Sequence, residues 1–284
     1  MHILNYCIFV LQYQLICLEN IVIIPTYNER ENIGHLIDVI FAQYNNFHIL
    51  VIDDGSPDHT ATLVKDRQVK HAGKLFLEER KGKLGLGTAY IHGFKWALKK
   101  GYSYIFEMDA DFSHNPKDLQ RLHDACSTGG ADVAVGSRYA KGGGTINWPR
   151  NRIMLSKGGS LYTRLITWMP VKDTTAGFVC YSREVLEAIN LDQIRFLGYA
   201  FQIEMKFASW KLGFKIKEVP IVFEDRKFGV SKMHKGIVKE GIWGVLKLRW
   251  LSLFKDYHNR VKNTGAAPYS TVPQSGDKVL VKSK

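Results

Sequence analysis

Two acidic residues one position apart form the part of the sequence best suited to chemistry. Asp109 and Asp111 follow an apolar run at residues 104–106. Side chains of a strand alternate between its two faces, so both carboxylates are predicted to point the same way. Adjacent carboxylates favour a divalent cation between them, and Mg²⁺ also takes oxygens from a bound phosphate. The pair indicates either a metal-held diphosphate or a polar turn with two solvated acids.

A second acidic pair and a glycine-rich loop are further candidates. Asp53 and Asp54 follow another apolar run, where a carboxylate would accept hydrogen bonds from the N–H groups of guanine or uracil. Helix capping by Ser56 beside two solvated acids explains the same residues. The loop at residues 82–87 has three glycines but matches neither a Walker A motif nor a full dinucleotide fingerprint. It is interpreted as a tight loop near the substrate.

Several basic residues lie in loops that contain glycine or proline. Arg138 lies in GSRY, Arg226 and Lys232 lie in DRKFGVSK, and Arg152 follows Trp148-Pro149. Guanidinium groups pair with phosphate through two hydrogen bonds, whereas lysine acts as a point charge. Taken singly, each residue is better explained as a surface cation. Only their combination points to an anion-binding site.

Strands and helices that alternate along the first half would position these residues. Apolar runs predict strands at residues 21–24, 48–52, 74–77, 103–108 and 131–136. Helices are predicted to be capped by Asn28 and by Ser56 or Asp58, to cover residues 88–99, and to start at Asn115-Pro116. This order predicts an α/β fold whose mainly parallel sheet carries helices on both faces. Polar residues at the carboxyl ends of three strands should then meet at one edge.

The second half mixes both element types, with helices predicted at residues 158–168 and 201–212 and strands at 175–181 and 215–223. Residues 237–254 combine apolar side chains with Lys and Arg, which predicts an amphipathic helix. That helix lies either in a membrane interface or against the domain.

Four regions follow from this pattern. Residues 1–19 are an apolar extension that is a poor signal peptide and a poor transmembrane helix. Residues 20–232 are the main domain, residues 233–262 a basic amphipathic region, and residues 263–284 a polar tail predicted to be disordered.

Charge is concentrated near the C-terminus. The 284 residues carry a net charge of +12, of which residues 226–284, with 13 Lys/Arg and 3 Asp/Glu, contribute +10 and the rest +2. A basic C-terminal region suits an anionic membrane surface, and without zinc-finger or RNA-recognition signatures no nucleic acid is predicted as partner. Four widely spaced cysteines argue against a disulfide framework and fit a reducing compartment.

Seven segments together are more specific than any one of them. They are PTYNERENI, VIDDGSPDHT, EMDADFSHNP, GSRY, WPRNR, DTTAGF and DRKFGVSK. In this order they resemble the family 2 glycosyltransferases of the GT-A (Rossmann-like) fold, and among these the polyprenyl (dolichyl) phosphate mannose synthases. The resemblance covers about residues 20–250.

The resemblance implies roles for particular residues. The nucleotide would be bound by Pro25, Tyr27, Glu29, Ile52, Asp53, Asp54 and the backbone of Ala110. Mg²⁺ or Mn²⁺ and the donor diphosphate would be bound by Asp109 and Asp111. Ser113 stands where some relatives have Gln, so its metal contact would be weaker or through water. The donor and acceptor phosphates would be contacted by Arg138, Arg226 and Lys232, and the lipid phosphate by Arg152.

The implied reaction moves mannose from GDP-mannose to polyprenyl phosphate with inversion. An ionised acceptor phosphate needs no general base; a sugar hydroxyl would need one, and Glu204 is then the candidate. One alternative is a family 2 enzyme that uses UDP-glucose or another UDP-sugar on a lipid or polysaccharide acceptor. The other is a non-catalytic anion- or nucleic-acid-binding protein that uses the basic tail.

Many relatives carry transmembrane hairpins at the C-terminus that this sequence lacks after Lys232. The resemblance therefore implies a cytoplasmic protein peripheral on the cytoplasmic membrane face, or one that depends on a membrane-spanning partner subunit.

Overall fold

The computed structural model describes residues 20–198, 200–225, 236–254 and 256–259, without the side chains of residues 236–240. Four features predicted from the sequence lie outside the described residues. They are the apolar extension at residues 1–19, Arg226, Lys232 and the polar tail at residues 263–284.

Nine strands and eight α-helices can be followed through the described ranges. The strands are β1 (Asn20–Thr26), β2 (Phe47–Asp53), β3 (Leu75–Glu79), β4 (Tyr104–Glu107), β5 (Val133–Ser137), β6 (Gly144–Ile146), β7 (Val179–Ser182), β8 (Ile216–Pro220) and β9 (Val222–Glu224). The helices are α1 (Arg30–Gln43), α2 (Thr60–Lys70), α3 (Leu86–Lys100), α4 (Asp118–Ser127), α5 (Arg150–Thr167), α6 (Arg183–Ala188), α7 (Ala200–Lys211) and α8 (Gly236–Leu251), with a 3₁₀ turn at Leu191–Gln193.

Seven of the strands form one sheet in the order β3-β2-β1-β4-β7-β5-β8. Strands β1 to β4 pair in parallel, as do β5 and β8. Strand β7 runs antiparallel to both of its neighbours, β4 and β5. The mainly parallel α/β sheet predicted from the alternation is therefore confirmed, with one antiparallel strand that the alternation did not predict.

Helices cover both faces of the sheet because its central strands are apolar on both sides. In β1, Ile21 and Ile23 join a core with α3, α6, α7 and α8, whereas Val22 and Ile24 join a second core with α1, α2 and α4. All four side chains are fully buried. The period of two along β1 thus fixes which helices pack on which face.

Several predicted helix starts are wrong by a few residues. Asn28 has a left-handed φ of 56° and does not cap α1, which Glu29 precedes. Asp58 accepts a hydrogen bond from the Thr60 N–H at the start of α2, whereas Ser56 donates to Asp53 instead. Helix α4 starts at Asp118 rather than at Asn115-Pro116, because Pro116 lies in a preceding turn.

Two further boundaries in the second half also differ. Helix α5 starts at Arg150, eight residues before the predicted start, directly after Pro149. The predicted strand at residues 215–223 is two strands, because Pro220 ends β8 and β9 then pairs with β6 in a separate sheet. The small β6–β9 sheet lies beside the cavity described below, since Phe223 lines it.

Helices α5 and α8 pack against each other, and the Tyr162 hydroxyl donates to the carbonyl of Ile242 at 3.1 Å. Neither these nor the other helices in the described ranges are long and apolar enough to cross a membrane.

Candidate active site

The carboxyl ends of β1, β2 and β4 meet at one edge of the sheet, as the sequence predicted. Their parallel pairing places Thr26 opposite Asp53, and the Thr26 hydroxyl donates to Asp53 Oδ2 at 2.8 Å. The Met108 N–H donates to the carbonyl of Ile23, which brings the segment after β4 to the same edge. Three polar segments far apart in the chain therefore become neighbours.

The acidic pair lies in the loop after β4, which ends at Glu107. The prediction that strand alternation points the two carboxylates the same way is therefore wrong in its cause. The loop is shaped instead by Phe112 at φ 60° and by the Ser113 N–H, which donates to Asp111 Oδ1 at 3.1 Å. Asp109 and Asp111 nonetheless line the same cavity.

That cavity has a volume of about 260 Å³ and a polar and an apolar part. The polar part contains Asp109, Asp111, Ser113, His114, Arg138, Arg152 and Gln202. The apolar part is formed largely by Leu155 and Tyr162 of α5 and by Ile242 and Val245 of α8. Leu155 and Ile242 are also exposed, so the apolar wall continues onto the outer surface of the two helices.

Arg138 lies at the cavity, but most of its donors bind protein groups. Its Nε and Nη2 donate to the two Asp173 oxygens at 2.7 and 2.6 Å, and Nη2 also donates to Thr175 Oγ1 at 2.9 Å. Asp173 is fully buried. Arg138 thus gives the cavity a fixed positive charge, while Asp173 occupies the fork that was predicted to bind phosphate.

Arg152 is better placed than Arg138 to meet a ligand. Its guanidinium stacks 4.0 Å from the Trp148 ring centroid, and Nη1 donates to Asp225 Oδ2 at 2.8 Å. The side chain keeps 29% exposure at the cavity wall. The ion pair with Asp225 joins Arg152 to the last described residue before Arg226.

The predicted nucleotide residues gather at the ends of β1 and β2, but Asp53 has a structural role. It accepts hydrogen bonds from the Thr26 hydroxyl and from the backbone and hydroxyl of Ser56. Asp54 Oδ1 accepts a hydrogen bond from Arg80 Nε at 2.6 Å. Asp53 therefore stabilises the loop after β2. Asp54 and Arg80 form an ion pair beside it at the end of the strand.

Two basic residues of this region were missed by sequence reasoning. Arg80 bridges Asp54 and the Thr88 hydroxyl, and Lys83 Nζ lies 5.2 Å from the Tyr27 ring centroid. Both belong to the segment between β3 and α3, whose positive charge (ERKGK) was the signal available in the sequence.

The other residues that were predicted to bind the nucleotide differ in which of their atoms a ligand could reach. Glu29 Oε2 accepts a hydrogen bond from Asn32 Nδ2 at 2.9 Å, and its backbone N–H donates to Thr60. Ile52 is fully buried and Ala110 is 4% exposed, so each would meet a ligand mainly through its backbone. Pro25 and Tyr27 are partly exposed beside them.

The glycines of residues 82–87 are explained by packing. A Cβ at Gly87 would lie 2.7 Å from the carbonyl oxygen of Phe196, and Gly85 has a φ of 102°. The Gly87 N–H donates to the carbonyl of Leu197 at 2.9 Å. The tight loop is thus confirmed, and Leu86 within it lines the cavity.

His114 is a buried residue at the same cavity. It is 3% exposed, stacks on Phe178 at 4.9 Å, and its Nδ1 accepts a long hydrogen bond of 3.4 Å from the Asp109 N–H. Burial lowers the pKa of His114 to about 4 despite the nearby charge of Asp111. A neutral ring can accept from Asp109 and so helps to orient the acidic loop.

Glu204 does not lie where a base for a hydroxyl acceptor would be needed. It is 1% exposed and accepts from the backbone N–H groups of Arg195 and Phe196 at 2.8 and 3.1 Å. It lines a smaller cavity with Lys247 and Tyr257 rather than the one with the acidic pair. The structure contradicts that candidate role.

The acidic pair suits a divalent cation whose remaining ligands come from elsewhere. No group of three or more His, Cys, Asp and Glu able to hold a metal occurs among the described residues. Mg²⁺ in phosphate-binding enzymes commonly uses one or two carboxylates, with water and substrate phosphate completing the shell. Asp109 and Asp111 at one cavity fit that pattern, and Ser113 donates its N–H to Asp111 beside them.

Comparison with known proteins gives a family match and two similar curated proteins. The sequence profile described as Glycosyl transferase family 2 matches residues 21–189. The chain is 44% identical over 232 residues to the polyprenol monophosphomannose synthase of Mycolicibacterium smegmatis, which covers 80% of this chain and 87% of that protein. It is also 44% identical over 236 residues to the undecaprenyl-phosphate mannosyltransferase of Micrococcus luteus, which covers 81% and 96%.

Solved structures show the same fold at low sequence identity. Glucosyl-3-phosphoglycerate synthase of Mycobacterium tuberculosis, in complex with phosphoglyceric acid, superimposes with a TM-score of 0.61 at 18% identity, covering 81% of this chain and 80% of that one. The same enzyme in complex with Mn²⁺, uridine-diphosphate-glucose and glycerol 3-phosphate gives a TM-score of 0.60. The fold is therefore that of GT-A glycosyltransferases.

Proposed function

Because this chain belongs to glycosyl transferase family 2, we propose that it transfers mannose from GDP-mannose to polyprenyl phosphate with inversion. Two relatives at 44% identity, named as polyprenyl phosphate mannosyltransferases, support this choice of donor sugar and acceptor. The match spans most of the chain and most of both relatives.

The proposal rests mainly on one observation, that the cavity has a polar part and an apolar part. Its polar part contains the acidic pair and two arginines, and its apolar part runs between α5 and α8 to the surface. A substrate pair that is charged at the reaction centre and apolar beyond it fits such a shape. A polyprenyl phosphate beside a sugar diphosphate has this character.

The described residues would divide the chemistry as follows. Asp109 and Asp111 would hold Mg²⁺ or Mn²⁺, which when bound stabilises the negative charge of the leaving diphosphate. Arg152 would bind the acceptor phosphate from the cavity wall, and Arg138 would add positive charge from its fixed position. Arg226 and Lys232 remain proposed phosphate contacts on sequence grounds alone.

The acceptor phosphate would act as the nucleophile without a protein base. A phosphate monoester has a second pKa of about 6, so it is largely ionised at neutral pH. The buried His114 binds the acidic loop, and Glu204 lies at another cavity, so neither has to accept a proton in this reaction.

The nucleotide would lie across the ends of β1 and β2. Pro25, Tyr27, Glu29, Ile52, Asp54 and Ala110 would surround the base and ribose, with Asp53 bracing the loop from behind. Arg80 and Lys83 would add positive charge near the phosphates. Both guanine and uracil present N–H groups to a carboxylate, so the donor has to be identified by experiment.

We also propose that the protein works at an anionic membrane surface, where its acceptor resides. Large apolar side chains are exposed along the outer side of α5, α8 and their ends. They are Met154, Leu155, Leu161, Leu165, Trp168, Ile242, Trp243, Leu246, Trp250, Leu253 and Phe254. Such a surface suits insertion into the headgroup region.

Charge on the same two helices is mainly positive, although the sequence of α8 includes Glu240. Helix α5 contains Arg150, Arg152, Lys157 and Arg164 and no acidic residue, and the described side chains of α8 include Lys247 and Arg249 and no acid. Arg249 lies 5.1 Å from the Trp168 ring centroid, which joins the two helices at this surface. Cations around an apolar patch favour anionic lipid.

The proposed reaction is tested by offering both donors to the purified protein. Labelled GDP-mannose and UDP-glucose are incubated separately with polyprenyl phosphate and Mg²⁺ or Mn²⁺, and the lipid fraction is counted. We expect label in lipid only with GDP-mannose and only with metal. Transfer from UDP-glucose instead would replace the donor, and no transfer from either would contradict the function.

A further inference from the structure

Beneath the acidic pair lies a group of buried polar side chains that the proposed reaction does not use directly. Glu107 at the end of β4 and Lys206 of α7 are both completely buried. Tyr90, Tyr181 and Gln202 place further polar atoms in the same region, and Asp109 and Glu107 both add to the negative charge around the Tyr90 hydroxyl. Buried charges are rare unless a specific arrangement compensates them.

The Lys206 ammonium has three acceptors in this interior. Nζ donates to the carbonyl oxygens of Ala176 and Gln202 at 2.6 and 3.0 Å and to Gln202 Oε1 at 3.3 Å. An ammonium has three N–H donors, so this set satisfies all of them. The shortest bond goes to Ala176, which is not on the helix that carries Lys206.

Glu107 is the acidic partner of Lys206 in this interior. Burial raises the pKa of Glu107 to about 8, and the positive charge of Lys206 works against that rise. Burial likewise lowers the pKa of Lys206 to about 8, and Glu107 works against that fall. Glu107 also interacts with the side chains of Gln202 and Tyr181, and it is linked to Lys206 by charge.

Ala176 belongs to the wall of the cavity beside the acidic pair. Thr175, Ala176 and Gly177 all line that cavity. A Cβ placed on Gly177 would lie 3.9 Å from Asp109 Oδ2, so this backbone passes near the carboxylate. Arg138 holds the other end of the segment through Asp173 and Thr175.

We propose that Lys206 is a positioning residue that fixes the Ala176–Gly177 backbone against Asp109, and with it the cavity wall at the diphosphate end. Lys206 contacts no cavity space itself and acts through the Ala176 carbonyl. The inference rests on the proposed function, because it assigns Lys206 a part in holding the site that binds the donor diphosphate.

A charge-balanced pair of variants separates positioning from plain stability. Lys206→Met keeps the side-chain length but removes the charge and all three hydrogen bonds, leaving Glu107 as a buried acid without its cation. Glu107→Gln combined with Lys206→Met removes both charges, so the melting temperature should return toward the wild-type value. Lys211→Met, on the exposed end of α7, is the matched control.

Two readouts are needed, binding of GDP with Mn²⁺ by calorimetry and transfer of mannose. In Lys206→Met and in the double variant we expect GDP affinity to fall about tenfold and transfer to fall ~10–100-fold, because a displaced wall misplaces the acidic loop. The control should match wild type.

Recovery of both GDP binding and transfer together with the melting temperature in the double variant would overturn the inference, since Lys206 would then serve stability alone. Wild-type values of both readouts in Lys206→Met would overturn it too. A wild-type protein that binds GDP but transfers no mannose would contradict the proposed function, while the binding readout would still decide the role of Lys206.

Discussion

At the residue scale, two side chains that the sequence predicted to contact a ligand instead bind other protein groups. Arg138 was predicted to bind phosphate, yet two buried Asp173 oxygens occupy its Nε and Nη2. Asp53 was predicted beside the base, yet Thr26 and Ser56 occupy its carboxylate. Both residues therefore hold loops at the candidate site.

The Arg138–Asp173 pair gives a prediction for stability. Asp173→Asn keeps the shape but leaves the buried guanidinium without its counter-charge, so the free energy of unfolding should fall by about 3 kcal/mol in urea titrations. Asp38→Asn removes the partly exposed partner of Arg67 and should cost less than about 1 kcal/mol. Equal losses in the two variants would show that burial of the Arg138 pair is unimportant.

His48 gives a prediction for pH dependence. Its Nδ1 lies 2.7 Å from the Tyr102 hydroxyl, and burial, followed by the charge of Lys74, lowers the pKa of His48. The unfolded chain therefore takes up this proton at a higher pH than the folded protein, so the stabilising effect of neutral His48 is present above about pH 6.5 and is lost as the pH falls.

The measurement compares wild type with His48→Gln in urea. The difference in free energy of unfolding between them should be larger at pH 7.5 than at pH 5.0. A difference that stays constant between these pH values would contradict the assigned shift.

These residue-level outcomes mark what the sequence could predict. The ends of strands can be predicted, because an apolar run followed by acidic residues indicates where a parallel strand stops. Both acidic pairs were located in this way. The hydrogen-bond partners of the site residues cannot be predicted, because Asp173 lies 35 residues from Arg138 and Arg80 lies 26 residues from Asp54. Only the folded chain brings them together.

At the element scale, the site depends on how closely α3 approaches the segment before α7. Gly87 allows that approach, since a Cβ there would lie 2.7 Å from the Phe196 carbonyl oxygen and 2.8 Å from the Phe201 ring. The glycine-rich loop was noticed in the sequence for its phosphate-binding potential. Its packing role could not be predicted, because Phe196 and Phe201 approach it only through tertiary structure.

Gly87→Ala tests this approach. The added methyl meets backbone that cannot move aside easily, so the melting temperature should fall and the free energy of unfolding should drop by roughly 1–3 kcal/mol. Gly158→Ala in α5 has nothing within 4 Å and should be neutral or stabilise by up to about 1 kcal/mol. A Gly87→Ala protein as stable as Gly158→Ala would contradict the account.

At the scale of the whole molecule, the arrangement of layers was predictable and the topology only in part. Alternating apolar runs and helical spacing indicated a parallel sheet covered on both faces, and the two cores confirm it. The antiparallel β7 between β4 and β5 was not indicated, because pairing partners depend on contacts distant in the chain. The sequence predicted helix α8 as a basic amphipathic helix but did not predict that α5 packs beside it and shares its exposed surface.

The proposed membrane surface gives a prediction at this scale. Trp243→Ser combined with Leu165→Ser removes two exposed apolar side chains, one from each helix, and should weaken co-sedimentation with anionic vesicles by ~10-fold. Val69→Ser removes a side chain that is 85% exposed on α2, and it should bind like wild type. Undiminished binding by the double variant would place the membrane contact elsewhere.

The central claim is that the acidic pair in the loop after β4 is needed to transfer mannose from GDP-mannose to polyprenyl phosphate. Its most direct test is metal-dependent transfer by wild type, Asp109→Asn, Asp111→Asn and the exposed control Asp124→Asn of α4. We expect both site variants to lose at least about 100-fold in rate while they unfold at temperatures close to wild type, and the control to keep its rate. Transfer at the wild-type rate by a protein carrying both site substitutions would contradict the account.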